Sequence, residues 1–129
     1  MRLSFSLAIL LAELAGGAVT AQGPSQSITV QLSSFKFTPA TLTLMHGRPY
    51  VIHFTNTSSG GHDFVAKDFF AAATIAPEDR GKVAKGGVSL SGGESTDIHL
   101  VPNTPGTYKS HCSHFMHSGF GMKGQVVVE

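Results

Sequence analysis

Apolar and polar residues alternate along much of this chain. Ile28, Val30 and Leu32 are separated by Thr29, Gln31 and Ser33, the period-two pattern of a half-buried strand. Phe35-Lys36-Phe37 continues that alternation until Pro39 interrupts it. Thr41 to Met45 predicts a short strand, and His46-Gly47-Arg48-Pro49 a turn. Tyr50 to Asn56 puts Ile52 and Phe54 on one face and Val51, His53 and Thr55 on the other. His62 to Val65 resumes an extended run after the loop Ser58-Ser59-Gly60-Gly61. Lys67 to Ile75 is the one segment with helical spacing, through Phe69, Phe70 and Ala73, and Pro77 marks its end. A short strand is expected within Val83 to Leu90, and Ser95 to Val101, Thr107 to Cys112 and Gly124 to Val128 complete the extended segments. The pattern predicts an all-β antiparallel sandwich of about seven or eight short strands with one short helix. Phe35, Phe37, Phe54, Phe69 and Phe70 are assigned to its core.

The N-terminus follows a different pattern. Arg2, the apolar stretch Leu3 to Leu14 and the small residues Ala18 to Ala21 make a secretory signal over residues 1–21, too short to span a membrane. Residues 22–129 then form a single domain, exported to the periplasm. The net charge is +1 and the lysines are scattered, which gives no nucleic-acid surface. No Ser-His-Asp order, carboxylate pair or phosphate-cradling loop points to an enzyme.

The single cysteine changes the picture. In an exported protein a lone thiol has no internal disulfide partner, and coordination to a metal protects it. Cys112 lies in the Gly-rich run Ser110 to Gly124, S-H-C-S-H-F-M-H-S-G-F-G-M-K-G, with His117 five positions on and Met122 five beyond that. Soft sulfur with imidazole selects copper over calcium, magnesium or manganese, and His62 supplies a second imidazole. His114 competes with His117 and Met116 with Met122. His111 precedes Cys112, points to the opposite face of its strand, and faces solvent or a partner. His53 and His99 are outward strand residues. His46 sits in a turn far from the ligand loops, and Met45 is assigned to the core.

The run Cys112 to Gly124, with F-K-F-T-P (Phe35 to Pro39), H-G-R-P-Y-V-I-H-F-T-N (His46 to Asn56) and G-H-D-F (Gly61 to Phe64), resembles the cupredoxin family of small blue-copper proteins. The likeness covers essentially all of residues 22–129, and the Cys-x4-His-x4-Met spacing is its most specific part. It implies a Greek-key sandwich and one copper ion held by His62, Cys112 and His117, with Met122 as a weak axial ligand. It also implies a monomeric carrier of single electrons, not an enzyme. Its partners would be cytochromes or copper oxidases and reductases, docking where Ser118, Gly119 and Phe120 ring His117. Phe64, Phe115 and Phe120 would form an apolar shell, and a backbone N–H near Asp63 would donate to the Cys112 sulfur. Where the family commonly has Asn or Ser, Asp63 brings a negative charge that can link to Ser113 and lowers the potential. Copper handling (resistance, sequestration or delivery) is the rival function, motivated by His111, His114 and Met116.

Overall fold

The computed structural model describes residues 24–114 and 122–129. The expected signal segment lies outside them, as do His117, Met116, Phe115 and Phe120. The described residues form ten strands: β1 Gln26–Ser33, β2 Lys36–Thr38, β3 Thr41–Leu44, β4 Tyr50–Asn56, β5 His62–Val65, β6 Ala73–Ile75, β7 Gly87–Leu90, β8 Ser95–Pro102, β9 Gly106–His111 and β10 Lys123–Val128. They build two five-stranded sheets, ordered β2-β1-β4-β8-β6 and β3-β10-β9-β5-β7. The all-β sandwich expected from the alternation is therefore what forms, with two additions. β1 runs parallel to β4 and β3 parallel to β10. Parallel neighbours need a long crossover, and here β2 and β3 carry the chain away from β1 before β4 returns to it.

Inward residues of both sheets make one core. β4 reads buried, half-buried in strict alternation through Tyr50, Ile52, Phe54 and Asn56, and faces Leu42, Leu44, Val88, Leu90 and Val126 across the sandwich. Phe64 is its aromatic hub. Its ring centroid lies 5.1 Å from those of Phe37 and Phe54 and 6.3 Å from that of Phe70. Edge-on and tilted contacts of this kind add to plain area burial.

Several expectations are corrected. The alternation through Phe35 does not continue β1. The chain reverses at Phe35, whose φ is +63°, and β2 folds back with Leu32 opposite Phe37. Phe37 is buried, while Phe35, at the turn, is 45% exposed. The helix α1 stops at Lys67–Ala72. Ala73 to Ile75 become β6, because the open edge of β8 offers backbone partners and Thr74 and Ile75 are β-branched. The short strand expected within Val83 to Leu90 does form, as β7 from Gly87. Met45 is exposed rather than core; it lies past the end of β3, in the turn where its N–H donates to the Tyr50 hydroxyl at 2.8 Å.

Outward histidines sit on sheet faces as expected. His53 Nδ1 lies 2.5 Å from Asp97 Oδ1. His99 meets Asp79, a buried carboxylate in the 3-10 turn Pro77–Lys82. Asp79 accepts from the His99 backbone N–H at 2.8 Å, faces His99 Nδ1 at 2.7 Å and pairs with Lys82 Nζ at 2.7 Å. Burial works to raise the Asp79 pKa, but these donors and the Lys82 charge outweigh it and lower the value from 3.8 to about 2. The ionised form is thus favoured in the folded state. Its contribution is fully present above about pH 4 and is lost as pH falls toward about 2. Asp79→Asn should be less stable at pH 7 and lose less further stability between pH 4 and 2 than wild type, measured by chemical denaturation across pH.

Candidate metal centre

The sequence places three of the four expected ligands at one end of the sandwich, at strand ends. β9 and β10 pair antiparallel with His111 opposite Lys123. The residues just past that pair, Cys112 and Met122, are therefore neighbours, and the Cys112 N–H donates to the Met122 carbonyl at 3.1 Å. Strand alternation turns Ser110 and Cys112 inward and leaves His111 exposed, as expected. Cys112 and Met122 are both 0% exposed. His62 opens β5, opposite Leu90 of β7; it and Phe64 point to the same interior. His62 Nδ1 lies 3.9 Å from Cys112 Sγ. His117, the fourth expected ligand, lies outside the described residues.

The sulfur is held by a network that reaches across both ligand segments. Backbone N–H groups of Asp63 and His114 donate to Cys112 Sγ, so the expected donor at Asp63 is present. The Asp63 carboxylate accepts from the Ser113 N–H at 2.6 Å and from the Ser113 hydroxyl, fixing the residue that follows the cysteine. Burial pushes the Cys112 thiol pKa up. The two N–H groups oppose this, while the nearby Asp63 carboxylate adds to it. A thiol in this setting ionises readily only when a cation compensates its charge, which is the behaviour of a metal ligand. A buried thiol with an imidazole nitrogen 3.9 Å away and a buried thioether residue bonded to its backbone fits a soft transition metal.

Two contributors were not legible beforehand. Asn56 is 1% exposed at the inward end of β4. Its Nδ2 donates to the carbonyls of Gly60, Leu90 and Ser91 at 2.8, 3.2 and 3.1 Å, and its Oδ1 accepts from the Ser58 N–H and hydroxyl at 3.0 and 2.8 Å. It pins the loop that delivers His62 to the end of β7. The inward phase of the β4 alternation was the available signal. The second is the meeting of His114 with Asp63: Asp63, Cys112 and His114 bring ligand atoms within 4.8 Å of one another. The link from Asp63 to Ser113 is the one expected; the approach of His114 to it is not.

The family profile described as a cupredoxin-like domain matches residues 5–128. No curated protein matches the chain. Among solved structures, the reduced auracyanin of the photosynthetic bacterium Roseiflexus castenholzii is 22% identical, with a TM-score of 0.60 over 83% of this chain and 99% of its own. Auracyanin A of Chloroflexus aurantiacus, a "blue" copper protein, is 18% identical, with a TM-score of 0.54 over 80% of this chain and 99% of its own. A multi-copper oxidase of Pseudomonas thermotolerans is 17% identical, with a TM-score of 0.62 over 81% of this chain but 30% of the oxidase. These likenesses concern the fold.

Asn56→Ala should destabilise the metal-free protein by about 2–3 kcal/mol, because three carbonyls and the Ser58 donors lose their partner at a buried site. Urea unfolding measures this. A loss under about 0.5 kcal/mol, the range of an ordinary surface change, would show that the loop holds without it.

Proposed function

The chain belongs to the cupredoxin-like domain family, and from that premise we propose that it is an exported carrier of single electrons built on one copper ion. The observation that carries this reading is the wholly buried Cys112 thiol, with His62 Nδ1 at 3.9 Å and the equally buried Met122 at its backbone. His62, Cys112, His117 and Met122 are the proposed ligands. Copper bound there supplies one-electron chemistry by moving between two oxidation states.

The protein's own residues supply the rest. Cys112 offers sulfur oriented by the Asp63 and His114 N–H groups, whose donation also tempers its charge. His62 is fixed by the β5–β7 register and by the Asn56-pinned loop. Phe64, Leu90 and Phe37 keep water from the inner side. Ligands held at strand ends of a packed sandwich move little, and a site that rearranges little gains or loses an electron at small cost. No substrate bond changes in this reading, so the protein is not an enzyme. Its partners are redox proteins such as cytochromes or copper oxidases and reductases, met as a monomer in the periplasm. The "blue" copper description of one structural relative agrees with it.

Copper handling is the second reading, favoured by the approach of His114 and Asp63 to Cys112. Stoichiometry separates the two: one copper with an intense thiolate charge-transfer band for electron transfer, two or more for handling.

The optical and EPR spectra of the copper-loaded protein test the assignment. Cys112→Ser and His117→Ala should lose the band, and His114→Ala should keep it; retention of the band in Cys112→Ser would refute the site. Asp63→Asn should raise the reduction potential measured by voltammetry, because it removes a negative charge that favours the more oxidised ion.

A further inference from the structure

The Asp63, Cys112 and His114 trio shares only its sulfur with the proposed ligand set. Its members differ in depth. His114 is exposed, Asp63 is 6% exposed and Cys112 is 0% exposed. His62 and Met122 are also deep, at 3% and 0%. The His114 and His62 rings stand 6.3 Å apart, tilted by 43°. His114 Cε1 lies 3.4 Å from the place a Cβ on Gly61 would occupy, so the imidazole packs beside the residue that precedes His62. The backbone N–H of His114 donates to the Cys112 sulfur. Both Asp63 oxygens are engaged by Ser113, yet an ionised carboxylate has about four lone-pair sites and keeps some for a cation.

We propose that His114 is a capture ligand. With Cys112 Sγ and the Asp63 carboxylate, it forms an outer site that takes copper from solvent and passes it to the inner ligands. The inference rests on the copper reading above. A hydrated cation cannot reach a wholly buried thiol without first losing water, and stepwise exchange divides that loss. A metal–water bond breaks as the His114 nitrogen binds. A second breaks as Cys112 Sγ binds, and the thiol proton leaves to bulk water. Asp63 attracts the cation in a partly desolvated setting, where its charge acts more strongly than in bulk water. His62 Nδ1 lies 3.9 Å from the sulfur, so the ion keeps its sulfur bond while His62 and Met122 displace His114 and Asp63. No electron moves in the sequence.

The test mixes Cu(II) with the metal-free protein in a stopped-flow instrument and follows growth of the thiolate-to-copper band. Wild type is compared with His114→Ala, His111→Ala and His117→Ala. His114→Ala should slow uptake about tenfold or more, the scale on which a supporting group acts at a metal site, and should reach the wild-type final band and EPR signal. His111→Ala, an exposed histidine outside the trio, should keep the wild-type rate. A wild-type rate in His114→Ala, or equal slowing in His111→Ala, overturns the capture role. Loss of the final band in His114→Ala makes His114 a permanent ligand and also overturns it. If His117→Ala then keeps the band, the ligand assignment itself falls as well.

Discussion

The pairing of β9 with β10 is the constraint on which the site depends. Its register sets His111 against Lys123, and the next residues inward, Cys112 and Met122, are bonded through their backbones. A slip of one residue would turn Cys112 outward. The register is protected by the core beneath it, since Val126 and Val128 are buried on the inner face of β10. Packing far from the sulfur therefore decides where the sulfur points.

A second strand completes the arrangement. β5 carries His62 and Phe64 on its inner face and Asp63 between them. One side of the strand delivers an imidazole and an aromatic hub to the interior; the residue between them turns to Ser113 and holds the chain after Cys112. The same carboxylate supports the loop mechanically and opposes the thiolate electrically. Removing its charge and removing its hydrogen bonds are thus separate perturbations, distinguishable by Asn and Ala at that position.

Much of this was legible in the sequence because period-two alternation reports burial directly. β4 and β5 have the bounds expected for them, and the sulfur and imidazole residues announced the chemistry. What alternation does not encode is a reversal within its own phase. Phe35 and Phe37 lie in phase, yet a turn with positive φ separates an exposed ring from a buried one. Nor does it encode sheet edges: Ala73 to Ile75 left helical spacing because β8 had unpaired backbone groups to offer. Asn56 and the approach of His114 to Asp63 were illegible for a related reason. Their roles arise from contacts between segments distant in sequence, and a buried polar residue acquires its meaning only from the partners that surround it.

The parallel pairing of β3 with β10 joins Thr41 to Gln125, positions near opposite ends of the domain. Contacts of such long sequence separation carry a large loop-closure cost and slow folding. The closing strand is therefore expected to dock after the intervening polypeptide has found its place. Until β10 pairs, Cys112 lacks the Met122 carbonyl that holds its backbone, so folding includes an interval in which its single sulfur is open to stray oxidants.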